Sequence, residues 1–176
     1  LEGIQFKTLK DGTEVSYIIM KRLPGVTLHD FKKLCKKNNE ILSLNEQAQL
    51  LLSVLSAIQH LIKEQINHGD VHDKNIMFDP LTWQAYFIDF GDSSVIPNNG
   101  SKNHHQHYDI RRLLLALKGL VTHPSLLFIS HQHFYTWTNL EGNLQTAIDK
   151  VRDLTLEPAS ENHVQVSTSP SMKPKI

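Results

Sequence analysis

The 176 residues carry 18 Lys+Arg against 18 Asp+Glu, and 40% of them are hydrophobic. A chain of this length and balance suits one water-soluble domain that buries roughly 70% of the surface its unfolded form exposes, and zero net charge gives no global attraction to nucleic acid or an anionic membrane. The single cysteine, Cys35, excludes an internal disulfide and a zinc ribbon and favours a reducing, cytoplasmic compartment.

The longest apolar stretch, Leu50 to Ile62, contains Ser53, Ser56, Gln59 and His60 and is shorter than the ~20 residues of a membrane span. Leu1 stands first, with no basic segment leading into an apolar run, so no signal peptide is expected. The abrupt start suggests a chain cut from a larger protein.

Asp11-Gly12 lies between the runs Ile4 to Leu9 and Val15 to Met20, which predicts two antiparallel strands. Pro24-Gly25 ends the second. Thr27 then caps a helix carrying Leu28, Phe31 and Leu34, ending near Asn38-Asn39. Ser43 and Glu46 have capping-box spacing, and Leu44, Ala48, Leu51, Leu52, Leu55, Ile58 and Ile62 follow one helical face.

After a loop from His68 to Lys74, Ile76 to Phe78 and Ala85 to Ile88 flank an Asp79-Pro80 turn, a second hairpin with short, largely buried strands. Ser93 to His107, rich in Asn, Ser and His and broken by Pro97 and Gly100, reads as a mobile surface loop. Asp109 is expected to open a helix through Ile110, Leu113, Leu114, Leu115, Leu117, Leu120 and Val121, so apolar that it belongs in the core, with Pro124 as its stop. A last helix, about 139 to 154, is expected under a Thr138 cap with Glu141 in box spacing. Beyond Glu157 the Ser, Pro, Thr, Asn and Lys content predicts a disordered tail.

The chemistry concentrates between His68 and Asp92, HGDVHDKNIMFDPLTWQAYFIDFGD. A hairpin brings Asn75, which precedes its first strand, near Asp89, which closes its second. Two hard oxygen ligands then face one point, and Mg²⁺ commonly takes one or two such groups together with nucleotide phosphates. Asp70, upstream on the same loop, is placed to orient a hydroxyl and accept its proton. Phosphoryl transfer asks for positioning and charge neutralisation of this kind more than for covalent catalysis.

His68-Gly69-Asp70, then Asn75, then Asp89-Phe90-Gly91 resemble the catalytic loop and metal-binding triplet of the protein-kinase-like superfamily. The resemblance implies an α+β kinase-like fold, mainly its helical larger lobe, with ATP and Mg²⁺ as cofactors. It makes Asp70 the base, Asn75 and Asp89 the metal ligands, and Tyr17 to Leu23 the strand and hinge beside adenine. Met20 would be the gatekeeper, the backbone of Lys21 and Leu23 would bond the base, and Met77, the pocket floor, and Ile88 would complete the nucleotide site. His72 and Lys74 join Asp70 as catalytic candidates: His72 either touches the transferred phosphate or lines the cleft, and Lys74 either contacts substrate or is solvated.

In style the motifs are similar to those of aminoglycoside phosphotransferases, choline kinases and small atypical kinases. Gly69 replaces the Arg of the usual protein-kinase loop, which argues against control by activation-loop phosphorylation. No Ala-Pro-Glu triplet lies in the short interval between Asp89 and Asp109, so a peptide-docking platform is short or missing. Asp109 resembles the buried aspartate that supports the catalytic loop. The resemblance runs over about residues 13 to 122.

No Gly-rich phosphate loop and no Val-Ala-Ile-Lys-like strand precede the hinge. The expected organisation is therefore a remnant hairpin and hinge of the smaller lobe at 1–23, the larger lobe at 24–157 and a tail at 158–176, with the missing smaller-lobe segment as a partner. The function expected is transfer of the γ-phosphoryl group of ATP to a hydroxyl of a protein or small-molecule acceptor. The alternative is a nucleotide-binding or pseudokinase module without turnover.

Other readings are blander. His68 is expected to support the loop by packing and a hydrogen bond. His104, His105 and His107 are read as solvated loop residues before a transition-metal site. Lys32, Lys33, Lys36 and Lys37 are read as a solvated face before an anion-recruiting one, and Cys35 as a packing residue. The polar tail leaves open a recruitment or secretion signal.

Overall fold

Alternating short strands and long amphipathic helices produce a mixed α+β structure, seen in a computed structural model that describes residues 3–96, 103–127 and 140–156. Strands β1 (Gly3–Thr8) and β2 (Glu14–Ile19) pair antiparallel with Phe6 opposite Ser16. Their turn is closed by the Thr13 N–H, which donates to Asp11 Oδ1 at 3.0 Å, and Gly12 supplies the left-handed residue at φ 85°. The two strands form a sheet of their own, and Phe6 is 82% exposed.

Strand β3 (Val26–Thr27) leads into helix α1 (Leu28–Asn38). Gly25, at φ 87°, precedes it because a side chain there would run into the backbone of Phe78 and Asp79. The Thr27 hydroxyl accepts the Asp30 N–H at 3.1 Å, and Asn39 in the left-handed conformation ends the helix with its N–H on the carbonyls of Cys35 and Lys36. Helix α2 (Leu44–Lys63) opens on a complete capping box: the Ser43 N–H donates to Glu46 Oε2 at 2.8 Å and the Glu46 N–H to Ser43 Oγ at 3.3 Å. A cap of this type is worth about 1 kcal/mol.

Beyond β4 (Ile66–Asn67), strands β5 (Ile76–Asp79) and β6 (Gln84–Phe87) form the second hairpin, and β3 adds to it in the antiparallel order β3-β5-β6. Ile76 and Phe78 point from β5 into the core, where Phe78 meets Phe31 and Trp83 with ring centroids 5.0 and 5.5 Å away. The Ala85 N–H donates to Ser53 Oγ at 2.7 Å and ties the sheet to α2. Helix α4 (Leu140–Leu156) covers the other side of α2 with Leu144, Ala147, Ile148 and Val151, all buried. Gln47, buried near the start of α2, accepts the N–H groups of Thr122 and His123 at 2.7 and 2.9 Å and so fixes the segment before Pro124.

The stretch read as a mobile loop from Ser93 to His107 differs. Ser94–Val95 forms β7 and pairs with β4, and Ile96 is buried with its N–H on the Gln65 carbonyl at 2.8 Å. Helix α3 (Asn103–Leu117) is already under way at Asn103, so Asp109 lies inside the helix and does not open it. Tertiary burial outweighs the polar composition: Gln106 and His107 are both buried, and Gln106 Nε2 reaches the Ile62 carbonyl at 3.5 Å. His107 is thus no solvated loop residue, whereas His105 is exposed.

Helix α3 also ends before Pro124. Gly119 at φ 88° turns the chain after Leu117, and Leu120 and Val121 return their N–H groups to the Leu117 carbonyl while staying buried. The helix is not enclosed on all sides, since Leu115 is 59% exposed. Pro97, Gly100, the Thr138 cap, the His104 side chain and the tail after Glu157 lie outside the described residues. Among those described, no helix is long and apolar enough to cross a membrane.

Candidate functional site

Two short antiparallel connections frame the loop 68–75: β4–β7 below it and the β5–β6 hairpin after it. Asp109 fixes the loop's first half. It is 2% exposed, and its Oδ2 accepts the His68 N–H at 2.7 Å while Oδ1 accepts the Gly69 N–H at 3.2 Å. With its amide turned to donate, Asn67 adds a bond to the same Oδ2 at 2.7 Å. Burial raises the Asp109 carboxyl above the ordinary aspartate value, against the lowering effect of the His68 and Gly69 N–H groups.

Gly69 has a local reason to be glycine. It sits at φ 84°, and a Cβ there would collide with the Asp92 carbonyl. The loop therefore passes against the residues that follow β6.

His68 bridges the same two segments. It is fully buried, packs tilted against Phe90 and Phe87 with ring centroids 4.7 and 5.4 Å away, and places Nε2 at 3.0 Å from the Ile88 carbonyl. Its Nδ1 accepts the Asp70 N–H at 3.4 Å, so Nε2 carries the proton and donates it to Ile88.

Three of the predicted site residues are in direct contact. Asn75, 7% exposed, spends its amide nitrogen on Asp70, donating to the backbone O at 3.0 Å and to Oδ2 at 2.9 Å. His72 Nε2 lies 3.2 Å from that Oδ2. The amide oxygen of Asn75 and Oδ1 of Asp70 accept no hydrogen bond among the described residues. Lys74 contributes its N–H to His72 Nδ1 at 3.1 Å and is itself exposed.

Asp89 reaches the loop through the backbone. The Ile88 N–H donates to the Asn75 carbonyl at 3.0 Å, which extends the β5–β6 ladder by one step. Asp89 then departs from the strand at φ 61°, a left-handed position aspartate tolerates. Gly91 leaves room for its carboxylate, since a Cβ there would lie 3.3 Å from Asp89 Oδ1. Among the described residues no three His, Cys, Asp or Glu side chains converge on a metal-sized point.

The predicted nucleotide-contacting residues divide into two groups. Met77 pairs with Tyr86 in the ladder that Ile88 continues, so strand alternation sets Met77 and Ile88 on the face opposite the buried Ile76 and Phe78. Met20, 68% exposed, and the neighbouring Lys21 and Leu23 lie between β2 and β3, where no sheet pairing joins them to β5 or β6.

One participant had no motif to reveal it. Asp73 accepts from Lys32 Nζ at 3.2 Å and lies 3.4 Å from His29 Nδ1, while its carbonyl accepts the His29 N–H at 2.9 Å. Partial burial opposes its ionisation, but the hydrogen bonds and charges of Lys32 and His29 prevail and hold its carboxyl below the ordinary value. Lys32 therefore anchors α1 to the loop and is not part of a free basic face.

Residues 27–97 match the family model described as the phosphotransferase enzyme family. A 49-residue stretch is 35% identical to the serine/threonine-protein kinase csk1 of Schizosaccharomyces pombe, covering 28% of this chain and 16% of that kinase. These matches support a kinase-like superfamily assignment. The described residues have a mixed α+β architecture, and the family match spans the loop, both β5 and β6, and the Asp89 turn.

Proposed function

We propose that this site transfers the γ-phosphoryl group of ATP to a hydroxyl, with Asp70 as the base and Asn75 and Asp89 as the Mg²⁺ ligands. The observation that carries the reading is the Asn75 side chain. Its nitrogen is committed to Asp70, which leaves its oxygen available as a hard ligand, while its carbonyl holds the strand end that precedes Asp89.

An amide oxygen and a carboxylate are a donor set suited to Mg²⁺, which keeps several waters and shares phosphate oxygens. When bound, the ion would neutralise charge on those phosphates. The chain's own task is positional. Asp70 Oδ1 takes the proton of the acceptor hydroxyl as that oxygen bonds to the γ-phosphorus and the bond to the β-phosphate bridging oxygen breaks, releasing ADP. The face carrying Met77 and Ile88 is assigned to the purine, with Met20, Lys21 and Leu23 on its other side. Lys74, exposed beside the loop, is assigned to substrate phosphate or acceptor.

The family name covers phosphotransferases broadly and the fission-yeast relative is named a serine/threonine kinase, so the acceptor class is a hydroxyl of a protein or a small molecule. Binding of Mg²⁺-ATP at a hundred times its Kd stabilises the folded chain by about 2.7 kcal/mol. That shift is expected in a melting experiment on the complete protein, smaller-lobe segment included, reduced in Asp89→Ala and kept in Asp70→Ala, with transfer of labelled phosphate lost in both. A nucleotide-independent melting curve, or full transfer by both variants, would refute the reading.

A further inference from the structure

The sequence left His72 either on the transferred phosphate or lining the cleft, and in the structure both of its ring nitrogens are already engaged. Nδ1 accepts the Lys74 N–H at 3.1 Å. A nitrogen that accepts carries no proton, so in the neutral ring the proton resides on Nε2. Nε2 faces Asp70 Oδ2 at 3.2 Å, and the bond must run from the imidazole to the carboxylate.

We propose that His72 is a positioning residue for Asp70, held in its Nε2–H tautomer by the Lys74 backbone N–H and donating to Asp70 Oδ2, and that it does not bind the nucleotide. This role deepens the phosphotransfer reading and rests on it for its catalytic meaning.

Two donors, Asn75 Nδ2 and His72 Nε2, then converge on one carboxylate oxygen. Together they set the carboxylate plane and leave Oδ1 as the basic oxygen. The same construction occurs four residues earlier: His68 accepts an N–H from two residues ahead on Nδ1 and uses Nε2 on the Ile88 carbonyl. The loop thus contains two imidazoles with their tautomers set by the backbone. One orients the strand end before Asp89, and the other orients Asp70. The Asp70 side chain is 38% exposed, so without the second donor its carboxylate would be free to rotate about the Asn75 contact alone.

The test uses the full chain labelled with ¹⁵N and long-range proton–nitrogen correlation of the imidazole rings near neutral pH. The His72 signals, assigned by their disappearance in His72→Gln, are expected as a single Nε2–H tautomer. In Asp70→Ala the Nε2 proton is expected to shift and to exchange faster with water. An Nδ1–H tautomer, or a His72 ring spectrum identical in Asp70→Ala, overturns the proposal.

Phosphate release from Mg²⁺-ATP, with water as acceptor, supplies the second arm. Misorientation of a reacting group costs on the order of tenfold to a hundredfold in rate, so His72→Ala should lower kcat by at least ~10-fold with nucleotide KM unchanged, and His72→Gln, which keeps a donor, should restore most of it. A large rise in nucleotide KM in both variants would place the ring on phosphate and overturn the proposal. Failure of the complete protein, smaller-lobe segment included, to bind Mg²⁺-ATP or release phosphate refutes the phosphotransfer reading instead, while the ring spectra still decide what holds Asp70.

Discussion

Replacing Asp109 by alanine removes the acceptor of three buried or half-buried donors at once. The His68 N–H at 2.7 Å, the Gly69 N–H at 3.2 Å and the Asn67 amide at 2.7 Å all lose their partner. His68 and Asn67 are buried, so water cannot replace it without opening the β4–β7 pair. Each unsatisfied donor costs about 1–3 kcal/mol. Removing the buried carboxylate offsets part of that cost, because its raised pKa means the ionised form is disfavoured in the folded chain. A net loss of about 3–5 kcal/mol follows, a large share of the ~5–15 kcal/mol stability of a domain this size.

Asp109→Asn keeps one acceptor oxygen and should fall between the two. The assay is urea unfolding followed by far-ultraviolet circular dichroism, repeated from pH 4 to pH 8. A group whose folded pKa lies above its unfolded value contributes stability that is fully present below the unfolded value and is lost as pH rises through the folded one. The wild type should therefore lose part of its advantage over Asp109→Asn as pH climbs above the aspartate range. A change under about 1 kcal/mol in Asp109→Ala would refute the view that this carboxylate holds the loop, since that is less than one orphaned donor costs.

Two further outcomes follow from the loop's other attachments. Asp73→Asn should cost about 0.5–1 kcal/mol at neutral pH, the range of a partly exposed ion pair. Because the folded pKa is depressed, the difference from wild type should vanish as pH falls from the ordinary aspartate value through the folded one, read by the same urea titrations in acid. Gly69→Ala forces a Cβ onto the Asp92 carbonyl at φ 84° and should lower stability by more than the ~1 kcal/mol that an unstrained Gly→Ala change would add. Equal melting temperatures for Gly69→Ala and wild type would show that the loop does not pass against Asp92.

Local chemistry was enough to read much of this chain. Thr27, Ser43 and Glu46 marked their helix starts because a cap is a short-range bond between a side chain and an N–H two or three residues on. The turns at Asp11-Gly12 and Asp79-Pro80 announced both hairpins for the same reason. The hairpin placed the residues on either side of its strands near each other, as the Ile88–Asn75 bond shows, while Asp109 was singled out by resemblance and its position at the opening of a helix was misjudged. Where the polar run from Ser93 to His107 was read as loop, local composition misled: whether Val95 pairs with Ile66, or whether Gln106 and His107 turn inward, depends on what lies across the core. The ion pairs of Asp73 with Lys32 and His29 join residues far apart in sequence, and the Ile88–Asn75 bond sets where Asp89 stands. Hydrogen bonds between distant segments have no periodicity and no fixed offset, so the order in which residues occur carries caps, turns and amphipathic faces, while the partners of the loop and the roles of its histidines emerge once the segments pack.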